Sequence, residues 1–204
     1  MLPTMKITVV SGSHRESSQS EKVARFCEAE LKRQGVESEV LSLGRNPLPL
    51  WDEGVWGDDP KWISVWGPIS KTLKASDGFV IVSPEWSGMV PAGLKNFLLL
   101  CDSTEVGHKP AMLVAVSSGI GGSYPIAELR SSSYKNNRIV YVPDHVIVRE
   151  AESVLGGDQP ASDRDAEIRK RLHYSLSMLI EYSRAFTAVR ASGRINLKEF
   201  PYGM

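Results

Sequence analysis

The stretch Ile7-Thr8-Val9-Val10, followed by Gly12-Ser13-His14-Arg15-Glu16-Ser17-Ser18-Gln19-Ser20 and then by a helical pattern from Glu21 to Gln34, reads as strand, glycine turn and helix in immediate succession. The turn brings one arginine and four hydroxyls to the entrance of the helix. Free backbone N–H groups and the positive end of the helix dipole face any anion held there, so this turn has the chemistry of a phosphate site. A serine-rich turn with an N-cap is the competing reading. The chain has no GxxxxGK[ST], which argues against ATP or GTP.

Outward from this unit, strand-like and helix-like segments alternate to the end of the chain. Strands are predicted near 6–11, 36–43, 78–83, 111–117 and 139–148, and helices near 18–34, 60–76, 91–102, 122–136 and 163–189. The third and fourth strands are almost continuously apolar, as strands covered on both faces should be, whereas the second alternates like an edge. Five β/α units give an α/β fold, a doubly wound five-stranded parallel sheet in the order 2-1-3-4-5 with helices on both faces.

The 204 residues, 42% hydrophobic and 24% charged, suffice for one well-filled core, and a single domain over 1–204 is expected, with 190–204 as a tail. Ile168, Leu172, Leu176, Leu179 and Phe186 recur at helical spacing, which makes Arg169-Lys170-Arg171 a solvated face. Residues 44–59 are irregular; Trp51 and Trp56 there either meet a partner subunit or cover their own core. The tail aromatics Phe200 and Tyr202 either cover a neighbouring surface or belong to a disordered end.

A formal net charge of zero gives no reason to expect nucleic acid or an anionic membrane as partner. No stretch approaches the length of a transmembrane span, and the start lacks a basic segment leading into a long apolar run, so a cytoplasmic location is expected. Cys27 and Cys101 are far apart and each lies in a helical pattern; both are read as small buried hydrophobes, and no metal-binding spacing is present.

Two further loops follow strand ends. Pro84-Glu85-Trp86-Ser87-Gly88-Met89-Val90-Pro91 leaves the third strand and continues into Ala92-Gly93-Leu94-Lys95-Asn96, with Pro91 as a good first helical residue. An aromatic followed by a glycine offers a flat wall and close backbone approach to a planar ring, although an exposed tryptophan is often simple packing. Ser117-Ser118-Gly119-Ile120-Gly121-Gly122-Ser123 leaves the fourth strand and can line up N–H groups on a ligand edge, or serve as a flexible turn. It is not a dinucleotide fingerprint, since Tyr124 stands where GxGxxG needs glycine. Ligands of open parallel sheets bind beyond the carboxyl ends of the strands, so the loops after strands one, three and four describe one cleft, with phosphate at the first loop and a flat ring between the others.

On Gly12-Ser13-x-Arg15-x-x-Ser18, Pro84-Glu85-Trp86-x-Gly88-x-x-Pro91-x-x-Leu94-Lys95-Asn96 and Ser118-Gly119-x-Gly121-Gly122, the chain resembles the NADPH-dependent FMN reductase family of flavodoxin-like flavoproteins, which includes quinone, chromate and azo-dye reductases. The resemblance spans roughly residues 6 to 130, with Trp86 where the family commonly has tyrosine. It implies that Ser13, Arg15, Ser18 and Ser20 hold the FMN phosphate. It also implies that Pro84, Glu85, Trp86 and Ser87 line one side of the isoalloxazine, and that Ser118, Gly119 and Gly122 line another.

The implied activity is hydride transfer from NADPH or NADH through bound FMN to a small-molecule acceptor, such as free flavin or a quinone, by a ping-pong route. The chemistry is the cofactor's, and no catalytic triad or carboxylate pair is needed. Of the four histidines, His14 alone lies in a candidate loop. The family also implies a homodimer or homotetramer. The alternatives are an FMN electron carrier docking on protein partners, which acidic steering would favour and this neutral chain lacks, or a flavin-less regulatory or interaction domain.

Overall fold

The computed structural model describes residues 5–203. The elements run β1 (Lys6–Ser11), α1 (Gln19–Arg33), β2 (Glu37–Ser42), α2 (Pro60–Ala75), β3 (Gly78–Pro84), α3 (Ala92–Leu100), β4 (Pro110–Val116), α4 (Ser123–Ser131), β5 (Val140–Val148) and α5 (Asp163–Ala191). Short 3₁₀ turns lie at Glu53–Trp56 and Ala151–Ser153. All strand pairs are parallel and the order is β2-β1-β3-β4-β5, as expected, so the strands end together on one edge. Ser11 at the end of β1 is level with Ser42 of β2 and Val82 of β3.

Alternation along β3 divides the interior into two layers. Val80 and Val82 face Val23, Cys27 and Leu31 of α1 and Leu172, Leu176 and Leu179 of α5. Phe79 and Ile81 face Trp62 and Leu73 of α2, Leu94 and Phe97 of α3, and Leu129 of α4. β3 and β4 are buried throughout, which their unbroken apolar composition requires, while β2 shows the partial exposure of an edge strand. Both cysteines are free and buried; burial pushes the Cys27 thiol up to about 12 and the Cys101 thiol well above its ordinary value, so neither is a nucleophile.

Several expectations need correction. Helical spacing runs to 136, yet α4 stops at Ser131, because the hydroxyls of Ser131 and Ser132 turn back on the Glu128 carbonyl and Ser133 takes φ +61°. Pro91 sits at the N-cap of α3 rather than at its first helical residue. Within the predicted solvated face, Arg169 is largely buried and holds Asp165 and the Gly157 carbonyl, so only Lys170 and Arg171 fit that reading. The tail is tied through its backbone, with Arg138 donating to the Phe200 carbonyl and the Gly203 N–H to Asn136, but its aromatics stay in solvent.

Residues 44–59 divide their roles. Trp51 packs on the second layer, whereas Trp56, edge-on to it at 4.9 Å, is 78% exposed. Asn96 fixes the segment: its Oδ1 accepts the Trp51 N–H at 2.8 Å and its Nδ2 donates to the Pro49 carbonyl at 2.8 Å, both from a buried position on α3. Replacing Asn96 by alanine leaves two backbone groups unpaired. We expect a loss of roughly 2–4 kcal/mol in urea denaturation, with faster amide exchange across 49–56.

Candidate functional site

The first loop starts where β1, β3 and α3 converge. Gly12 N–H donates to the Val82 carbonyl at 2.8 Å, and a Cβ here would lie 2.7 Å from that oxygen and 2.6 Å from Leu94 Cδ2, so only glycine allows the approach. Ser13 is buried and its Oγ accepts the Arg15 N–H; Ser18 caps α1, its Oγ accepting the Glu21 N–H at 3.1 Å. Each hydroxyl keeps its own hydrogen for a ligand. Ser20 is buried in the first turn of α1, and Arg15 is exposed on the loop. The backbone N–H groups of residues 16–20 have no acceptor among the described residues. Arg25 and Arg45 are engaged with Glu21, which offsets that carboxylate near the helix entrance.

The second loop contains a two-residue reversal. Trp86 and Met89 exchange backbone hydrogen bonds of 3.1 and 2.9 Å across Ser87 and Gly88, whose φ values of +50° and +71° have the signs of a type I′ turn. This lifts Trp86 toward the first loop, where its ring meets His14 edge-on at 4.6 Å and 86°. Pro84 ends β3 and is buried.

The third loop is joined to the second by Glu85. Its backbone N–H donates to the Val116 carbonyl at 2.9 Å, and its carboxylate accepts the Gly122 N–H at 2.5 Å. Gly122 has φ +106°, and a Cβ on it would lie 2.3 Å from Ile147 Cγ2. Arg149 supports the same loop from behind by donating to the Gly121 carbonyl at 3.0 Å. Ser118 and Gly119 are exposed, and the N–H groups of Ser118, Ile120 and Gly121 have no acceptor among the described residues.

The eleven candidate residues lie toward one edge of the sheet, nine on the three loops, Pro84 at the end of β3 and Ser20 in the first turn of α1, while the contacts that hold the loops come from residues the sequence does not mark. Glu128 of α4 accepts the Val90 N–H at 2.8 Å and the Lys95 ammonium at 2.7 Å. Burial works to raise its carboxyl, but Lys95 and the Val90 N–H outweigh it and keep Glu128 below the usual carboxylate range. Tyr124, 68% exposed beside Gly88, adds another aromatic at the mouth. A larger groove of about 970 Å³ lies apart from the first and third loops, between Trp51, Trp56, Leu99, Glu128 and Tyr202.

The sequence pattern of NADPH-dependent FMN reductases matches residues 5–153. The chain belongs to that family. The family is one of oxidoreductases named for NADPH and FMN. An NADPH azoreductase of Bacillus sp. is 30% identical over 115 residues, 56% of this chain and 60% of that protein. A quinone reductase of Pseudomonas putida is 32% identical over 128 residues, 60% of this chain and 66% of that protein. The chain thus matches less than two thirds of the length of each. Among solved structures, the flavoenzyme NAD(P)H:(acceptor) oxidoreductase FerB of Paracoccus denitrificans superposes with a TM-score of 0.71 at 19% identity, covering 90% of this chain and 99% of that one, a likeness of fold.

If Glu85 clasps the third loop, Glu85→Ala should cost about 1–3 kcal/mol and speed exchange of the Gly122 amide, while Glu85→Gln, which keeps an acceptor oxygen, should lose less than half as much. Denaturation and amide exchange measured on both variants check this.

Proposed function

We propose that the chain passes a hydride from NADPH or NADH, by way of bound FMN, to a second acceptor such as free flavin, a quinone or an azo compound. The observation that carries this reading is the junction of the three loops at the ends of β1, β3 and β4, with unpaired N–H groups on the first and third. Ser13, Arg15, Ser18 and Ser20, with the N–H groups of residues 16–20, fit a phosphate: they present donors and one cation at the positive end of α1. Pro84, Glu85, Trp86 and Ser87 would hold one side of the flavin ring, and Ser118, Gly119 and Gly122 the other. Gly122 acts through its shape, since its N–H is committed to Glu85.

FMN supplies the hydride-accepting and electron-donating chemistry. The residues here orient it, and the exposed N–H groups of the third loop stand where negative charge on the ring would be met. An aromatic-lined mouth formed by His14, Trp86 and Tyr124 supports the use of one flavin face by nicotinamide and acceptor in turn, a ping-pong cycle. The names of the azoreductase and quinone reductase relatives support an aromatic or quinoid acceptor. Exposed Trp56 and Leu99 beside the larger groove support a homodimer or homotetramer, which light scattering reads directly.

Purified protein supplied with FMN should show the bound flavin absorption bands and lose them on anaerobic NADPH, and initial rates against both substrates should give parallel double-reciprocal lines. A flavin-bound protein that NADPH leaves yellow would support the carrier function instead. Intersecting lines would contradict the shared mouth.

A further inference from the structure

We propose that His14 is the acid that gives a proton to the acceptor at the mouth of the site. The proposal rests on the flavin-dependent reading above and adds to it a residue of this chain. His14 is exposed on the first loop and positioned by carbon rather than by hydrogen bonds: Trp86 meets its ring edge-on at 4.6 Å, and α3 supports it at Gly93, whose ideal Cβ position is 3.2 Å from Nδ1. Neither ring nitrogen has a hydrogen-bond partner among the described residues, so both are free to meet a ligand.

Every other ionisable group on the elements around it is committed or unsuited. On its own loop, Arg15 does not release its proton near neutral pH and Glu16 is an exposed carboxylate. Glu85 of the second loop is bonded to the Gly122 N–H, and Lys95 of α3 is paired with Glu128. The hydroxyl of Tyr124 on α4 is a weak acid. The remaining histidines lie elsewhere: His173 is bonded to Glu30, His145 is within β5, and His108 precedes β4 at the opposite edge of the sheet.

Quinone reduction consumes a proton, which a donor at the mouth can supply. Two-electron reduction of a quinone adds a hydride equivalent, supplied by the nicotinamide through the cofactor, and leaves one quinone oxygen as an anion. The imidazolium N–H bond breaks, its proton forms the O–H bond of the hydroquinone, and neutral imidazole regains a proton from water. Histidine is the side chain whose ordinary titration range lets it do this near neutral pH.

The test compares wild type with His14→Gln after anaerobic reduction of the FMN-loaded protein by NADPH. Each is mixed with benzoquinone, which takes up protons, or with ferricyanide, which takes up electrons alone, from about pH 5.5 to about 8.5. Wild type should lose rate toward benzoquinone as pH rises. His14→Gln should be slower toward benzoquinone by roughly tenfold to a hundredfold, with that pH dependence gone, and should lose far less toward ferricyanide. Equal losses toward both acceptors, or an unaltered benzoquinone profile, would overturn the proposal. In the protein without FMN, contact with imidazolium should quench Trp86, so tryptophan emission should titrate in wild type and not in His14→Gln or Trp86→Phe; no such step would overturn it independently. Failure to bind FMN or to be bleached by NADPH would reject the underlying function while the emission titration still reports the pair.

Discussion

The hydrogen bond from the Gly122 N–H to the Glu85 carboxylate joins loops that leave neighbouring strands, and the rest of the site is arranged around it. A glycine-rich loop with unpaired N–H groups loses much conformational freedom when it is ordered. Here the cost is met by one charged acceptor on the adjoining loop and by Arg149 behind. Glu128 then works in the other direction, from the helix that follows the third loop to the backbone of the second. The two carboxylates tie the second and third loops to each other and the second loop to α4.

Charge is distributed to match. Glu85 and Glu128 are each bound to an N–H or an ammonium, whereas the first loop offers Arg15 and the positive end of α1, with Glu21 offset by Arg25 and Arg45. An anionic group is therefore favoured at the first loop. His14 of the first loop meets Trp86 of the second edge-on, which joins these two loops at their tips.

Much of this was legible locally. The unbroken apolar runs of β3 and β4 have the composition of strands covered on both faces, and glycines and serines directly after strand ends mark the loops. What could not be read were bonds between residues far apart in the chain. Val90 to Glu128 spans 38 positions, Trp51 to Asn96 spans 45, and Arg149 to Gly121 spans 28; no periodicity or spacing encodes them. The end of α4 was missed for a different reason: serine hydroxyls compete with the helical ladder, so an amphipathic pattern outlasts the helix itself. The tail escaped because its backbone, not its aromatic side chains, makes the contacts.

The central claim is that one cleft grips an anionic tail at the first loop and a flat ring at the other two. Calorimetric titration of the flavin-free protein with FMN and, separately, with riboflavin tests it most directly, because the two ligands differ only in the phosphate. One FMN should bind per chain, roughly a hundredfold or more tighter than riboflavin, with most of that advantage lost on Arg15→Ala. Equal affinities for the two ligands, or no binding of either, would contradict the account.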